Sequence, residues 1–354
     1  MILKKMRKKP LLYFLCLFLF FQNCKKPPRN VKMAFYHWKT SVDISDFKNI
    51  KKEKIYVHLF DVDWDEETHF PKPLAELQNV QKFKDFKNIV PVVFLTNKTF
   101  AQIIDYQIDT LALRVFEKIN KNTVEERNTD SIGKGGVFDE IQFDCDWTAT
   151  TRNAYFSFLK KIKTLFLNKK ISATIRLHQV KYMDKTGVPP VDRGMLMAYN
   201  MGDLDDIKTD NSILNMGTLK KYLINFDKYP LELDVALPIF SWGIVFRDGE
   251  AVKIINNLSK NTLLQTPQYA SQFQQNADNR FVLLKNQYLN GFYLYENDEI
   301  RIEDAPLSIL KSTAQFLSQN IKNQQLTVAF YHLDSTALQQ YHYEDLENIT
   351  HLFQ

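Results

Sequence analysis

The sequence predicts an α/β protein folded as a closed (β/α)8 barrel, the TIM architecture, with a small insertion between its seventh and eighth strands. Three observations lead there. Short apolar runs alternate with longer segments of helical periodicity, the pattern of βα units around a parallel sheet. Eight such runs follow one another from Met33 to Tyr331. No GxGxxG or GxxxxGKS/T segment occurs, so an open nucleotide-binding sheet is the weaker alternative.

Strand one is Met33 to Trp38 and strand two Ile55 to Phe60. Strand three is Ile89 to Leu95, with Pro91 suited to a place near its start. Strand four is Val137 to Thr148 (VFDEIQFDCDWT), opened by Gly135-Gly136. Strands five to eight are Ile171 to Leu177, Gly194 to Asn200, Leu233 to Phe240 and Leu326 to Tyr331. The longest helical segment, about Phe100 to Ile119, precedes a polar stretch, Asn120 to Gly136, that reads as a loop. Thr151 is placed to cap a helix from Arg152 to Leu167, whose Tyr155, Phe158, Leu159, Ile162 and Phe166 recur at three and four residues and so face the sheet. Residues 249 to 323 are too many for one crossover helix. Phe281 to Leu284 and Gly291 to Tyr295 flank Asn290-Gly291, a hairpin turn signal, and mark the insertion.

With 354 residues and 45% hydrophobic content the chain can bury a full core, in one large domain or two smaller ones. The first 30 residues hold eight basic side chains and no acidic one, which leaves the remainder of this +5 chain at −3. No basic face suited to nucleic acid is expected. Residues 1 to 24 read as an export signal: basic through Lys9, apolar from Leu11 to Phe21, then Cys24. The apolar stretch is short for a membrane-spanning helix. Cys24 resembles the lipid-modified cysteine of bacterial lipoproteins; an ordinary signal peptide and an uncleaved anchor are the alternatives. Lys25 to Asn30 is a polar tether, and the barrel domain spans 31 to 354. With Cys16 removed and Cys24 acylated, only Cys145 remains and no disulfide forms within the domain. The expectation is an exported protein of a bacterial cell envelope, held to a membrane by lipid.

In such a barrel the strand ends nearest the following loops line the active face. Alternation along strand four puts Gln142, Asp144 and Asp146 on one side and Ile141, Phe143 and Cys145 on the other. The two carboxylates then sit about 7 Å apart along the backbone, and crowding raises their pKa values, one source of a proton donor near neutral pH. All four tryptophans, Trp38, Trp64, Trp147 and Trp242, fall at or just past strand ends. Indole faces stack on the apolar faces of sugar rings, although tryptophans there also seal barrel cores. Arg176 and His178, ending strand five, can bind substrate or neutralise Asp144. Tyr36, His37, Tyr331 and His332 are candidates for the pocket floor. The acidic run from Asp61 to Glu67 lies near the same mouth, and Asp65 to Glu67 read as a solvated loop. His58 and Asp61 lack any HExxH-like spacing, so neither metal nor cofactor is expected.

These residues together resemble the chitinase-type barrels of glycoside hydrolase family 18. That family's fourth strand ends in DxxDxDxE, often DGxDxDWE; IQFDCDWT keeps its second and third aspartates and its tryptophan as Asp144, Asp146 and Trp147. Strand six, MLMAYN, is similar to the family's MxYD, with Met197 and Tyr199 matched and Asn200 in place of the aspartate. LPIFSWG is similar to GxPxY through Pro238, with Phe240 in the aromatic place. In that family the closing glutamate protonates the glycosidic oxygen, and the aspartate two before it orients the acetamido group that acts as nucleophile. Here the glutamate position is Thr148, whose hydroxyl cannot serve as that acid. The chain looks closest to lipoprotein-like bacterial members without the glutamate. The resemblance implies Asp146 as acid or orienter, Asp144 tuning it, and Tyr199 hydrogen-bonding near the reacting centre. Trp38, Trp64, Trp147, Asn200, Trp242, Arg176, His178 and Tyr331 would contact a polysaccharide or oligosaccharide. The reading is therefore a glycoside hydrolase-like protein that binds a glycan at the C-terminal face of the barrel, with hydrolysis left open. A catalytically inactive glycan-binding lipoprotein is the alternative, and a structural envelope protein with a vestigial pocket is a third.

Overall fold

A computed structural model gives the architecture and describes residues 28–124 and 138–354. The signal with Cys16 and Cys24, residues 25–27 of the tether, and the Gly135-Gly136-Val137 opening of strand four lie outside the described residues. Each of the eight expected strands forms: β1 (Asn30–His37), β2 (Lys54–Asp65), β4 (Asn88–Leu95), β5 (Glu140–Asp144), β6 (Lys170–Arg176), β7 (Arg193–Met197), β8 (Leu233–Pro238) and β16 (Gln325–Tyr331). They pair in parallel, and the β1–β2 and β1–β16 ladders close the barrel. An outrigger, β3 (Phe70–Leu74), runs antiparallel along the far half of β2. Its Pro71 and Pro73 suit an edge, where missing donors cost nothing.

The alternation read in strand four holds. Phe143 points outward, edge-on to Phe158 at 5.5 Å, while Gln142 points inward and accepts a 2.5 Å hydrogen bond from Tyr36. Tyr36 stacks on Tyr56 at 4.7 Å, so the barrel centre is filled by side chains rather than open. At the strand starts, Lys54 pairs with Glu140 at 2.9 Å and Arg193 with Asp234 at 2.8 Å, beside a cavity of 910 Å³. His37 belongs to the outward set, which corrects its expected place on the pocket floor. It is buried edge-on against Phe83 at 5.0 Å and Phe47 at 6.0 Å. Burial, helped by the charges of His332 and Lys39, lowers its pKa to about 4.

The helical layer departs from the sequence reading at definite points. The segment expected at 100 to 119 is two helices, α1 (Asn97–Gln102) and α2 (Asp105–Val124). Thr96 caps the first by accepting from the Thr99 amide, and extended Ile103 ends it. The second runs on into the stretch read as a loop. In α3 (Arg152–Leu165), the expected cap Thr151 has helical backbone angles and makes no capping bond. Its hydroxyl donates instead to Asn97 Oδ1 at 2.6 Å. The outer layer continues with α4 (Leu177–Lys181), α5 (Met183–Thr186) and α6 (Met216–Tyr222).

The insertion begins at Trp242, earlier than expected, because β9 (Trp242–Arg247) follows β8 almost directly. β10 (Glu250–Asn256), β11 (Phe273–Ala277), β12 (Arg280–Leu283) and β15 (Glu299–Glu303) complete a five-stranded antiparallel sheet, joined by α7 (Lys260–Gln265). The Asn290-Gly291 turn forms with positive φ at both residues, 47° and 81°. It connects β13 (Gln287–Leu289) to β14 (Phe292–Leu294), whereas β12 pairs with β11 and β15, so the expected hairpin partners are corrected. The crossover helix α8 (Leu307–Asn320) then leads to β16, and α9 (Ser335–Gln340) and α10 (Tyr343–His351) close the layer.

The chain enters at the strand-start end. Arg29 donates to the Phe353 carbonyl and the Ile321 carbonyl, each at 2.8 Å, pinning the first described residues to the ends of α8 and α10. Among the described residues no helix is long and apolar enough to cross a membrane.

Candidate functional site

At the opposite, strand-end mouth β5 delivers Asp144 and Asp146 to β6. Asp144 is buried and accepts from Thr174 Oγ1 at 2.5 Å and from Arg176 Nη2 at 3.3 Å. Asp146, with a half-exposed side chain, accepts from Arg176 Nε. One guanidinium therefore bridges both carboxylates. Burial raises the pKa of Asp144, against the opposing pull of Arg176 and with the help of Asp146. Burial disfavours the charge on Arg176, but Asp144 and Asp146 more than offset it and raise its pKa. His178 lies beside this group, its pKa lowered by burial against the pull of Asp146.

Thr148, at the position of the family's glutamate, is exposed. Its hydroxyl shares a 2.8 Å hydrogen bond with that of Thr150, and its amide donates to Thr151 Oγ1. No carboxyl stands at that position to deliver a proton.

An arc of rings lines the other side of the mouth. Trp38 lies 5.7 Å from Tyr331, which stacks on Tyr199 at 5.1 Å. Phe240 meets Tyr331 edge-on at 5.8 Å and Trp242 at 5.1 Å. Trp38, Tyr331 and Trp242 keep partial exposure, whereas Tyr199 is buried. The Tyr199 hydroxyl points to Met197 Sδ at 3.6 Å rather than into a carboxylate. Burial and neighbouring Tyr331 raise its pKa well above the usual phenol. Asn200 is exposed with φ at 52°, its amide tied to the Ile213 carbonyl.

Two tryptophans leave the expected set of stacking surfaces. Trp147 is fully buried in the helix layer, stacked on Tyr155 at 5.3 Å, with its indole N–H donating to the Thr186 carbonyl at 2.9 Å. Trp64 is 8% exposed and packs in the core. The residue after Asp146 alternates outward, away from the mouth, which accounts for Trp147.

Sequence reasoning missed what holds Trp242. Its indole N–H donates to Glu303 Oε2 at 2.8 Å. Buried Glu303 also accepts from the Ser212 amide at 3.0 Å and from Arg301 Nε at 2.6 Å. Charged residues at alternate positions in EIRIE read as a solvent-facing row, and nothing local signals that this row presses on the loop after β7. Among the described residues no group of three or more His, Cys, Asp or Glu side chains could hold a metal ion.

The closed ring of eight parallel strands, with its polar strand-end site and ring arc, defines a (β/α)8 barrel. The chain is similar to a chitinase from Chromobacterium violaceum, with TM-score 0.56 at 10% identity over 91% of this chain and 99% of that one. It is also similar to the Bacillus cereus spore cortex-lytic enzyme SleL (TM-score 0.53, 12% identity, 92% and 75% covered) and to Ostrinia furnacalis Group IV chitinase (0.52, 11%, 92% and 100%). No family model matches the sequence, and no curated protein does either. At these identities the likeness shows the fold.

Proposed function

We propose that the chain binds a glycan across the strand-end mouth and does not cleave it by the acetamido-assisted route. The observation that carries this is the Arg176 bridge across Asp144 and Asp146 beside an exposed threonine. The guanidinium occupies an oxygen of each carboxylate, and the position from which a closing carboxyl would deliver a proton holds only the Thr148 hydroxyl. Half-exposed Asp146 remains an acceptor for sugar hydroxyls, with Trp38, Tyr331 and Trp242 offering ring faces. Binding by the detergent-solubilised full chain to N-acetylglucosamine polymers and peptidoglycan fragments tests the reading. The wild type is expected to bind at least one, and Trp38→Ala or Trp242→Ala to weaken it about tenfold, the equivalent of roughly 1.4 kcal/mol. No binding to any of the panel sinks the reading. Release of labelled reducing ends, abolished by Asp146→Asn, would establish a hydrolase instead.

The export signal and Cys24 support a lipid-anchored place in a bacterial envelope. Radiolabelled palmitate should enter the chain in bacteria and be lost in Cys24→Ala, which should also leave the membrane fraction. Unchanged labelling or fractionation would remove the anchor from the proposal.

A further inference from the structure

The second strand carries a pair of side chains that the mouth described so far does not use. β2 bulges between His58 and Phe60: His58 is level with Val92 and Phe60 with Val93, so Leu59 is an extra residue. Strict alternation would send residues 58 and 61 to opposite faces. The bulge re-aims the chain and brings both to one side, where His58 Nε2 and Asp61 Oδ1 lie 2.6 Å apart. Ladder register places Asp61 level with Phe94 of β4, and Phe94 level with Asp144. Asp61 therefore stands on the same rung of the barrel as the buried aspartate, two strands away.

His58 is 2% exposed, and its other face meets the Trp38 indole at 4.7 Å with 32° between ring planes. The Asp61 side chain keeps 29% of its surface open. One buried imidazole thus touches both a partly exposed indole and a partly exposed carboxylate. We propose that His58 is a positioning residue that fixes Trp38 and Asp61 as one sugar subsite, with the indole taking the ring face and Asp61 accepting from the hydroxyls or amide N–H on its edge. The inference rests on the glycan-binding reading and adds the residues that set orientation on the β1–β2 side of the mouth. Sugars need this combination, because a ring face alone does not fix rotation about the stacking axis, whereas an ionised acceptor at the rim does. With its Nε2–H donating to Asp61, the imidazole holds the carboxylate in one rotamer, and a ligand then orders less on binding.

The test uses the detergent-solubilised full chain and the N-acetylglucosamine tetramer as probe, followed by calorimetry. Asp61→Ala is expected to weaken binding about tenfold or more, the worth of a hydrogen bond to a charged acceptor. His58→Phe keeps a ring against Trp38 but removes the donor, and should lose a similar factor. The double variant should lose no more than either single one, because His58 acts through Asp61. Asp61 is partly exposed, so its alanine variant reports even where His58→Phe folds poorly. Wild-type binding with Asp61→Ala unchanged overturns the subsite and leaves the glycan reading intact. Fully additive losses overturn the positioning role of His58. A wild type that does not bind the tetramer overturns the subsite, and binding to peptidoglycan fragments in that case keeps the broader reading.

Discussion

Arg176→Met is expected to cost about 3 kcal/mol of unfolding free energy at pH 8 and clearly less at pH 5. The guanidinium is the cation facing Asp144, whose side chain is only 3% exposed. Removing it leaves a buried carboxylate with the Thr174 hydroxyl and the neighbouring charge of Asp146. Burial already raises the folded pKa of Asp144 above its unfolded value, and loss of Arg176 raises it further. The folded state then binds a proton that the unfolded state releases near pH 4. Stability contributed by that proton is present below the unfolded pKa and is lost as pH rises through the folded one. Urea unfolding at the two pH values measures the difference, and Arg176→Met with Asp144→Asn should recover most of the loss. Equal deficits at both pH values would show that Asp144 is not the group Arg176 holds.

Glu303→Ala should be comparably damaging, at about 3–5 kcal/mol. It strands the fully buried Arg301 guanidinium, which otherwise donates to Glu303 and to the Asp206 carbonyl at 2.7 Å. It also leaves the Ser212 amide and the Trp242 indole N–H without their acceptor. Glu303→Gln preserves shape and should cost less, about 1–3 kcal/mol. Because Glu303 ends the last strand of the insertion sheet while Ser212 lies after β7, the alanine variant should speed hydrogen exchange over residues 201 to 215 and change tryptophan emission. Unaltered exchange there would mean that the insertion is held to the barrel elsewhere.

The barrel was legible because each strand announces itself. Runs such as IYVHLF and MLMAYN are apolar on both faces, as strands sandwiched between a filled interior and a helix layer must be. The site was legible only as far as alternation reaches. It places Asp144 inward and Cys145 outward, and by the same rule sends Trp147 to the helices, even though its place just past a strand end groups it with the mouth tryptophans. Alternation fails at the β2 bulge, where one extra residue reverses the faces, so the His58–Asp61 pair could not be read from spacing. For Arg176 the residue pattern allows both neutralising Asp144 and binding substrate, and only distances separate the two. Contacts between segments far apart in sequence, such as Glu303 with Ser212, leave no local trace.

The arrangement of Arg29 has a mechanical consequence. A pull applied at Arg29 is shared between the β1 backbone that follows it and two carbonyls at the ends of α8 and α10, at the strand-start end of the barrel. The strand-end mouth lies along the same axis at the other extremity. A pull on Arg29 therefore strains the ends of two outer helices, at the extremity farthest from the site.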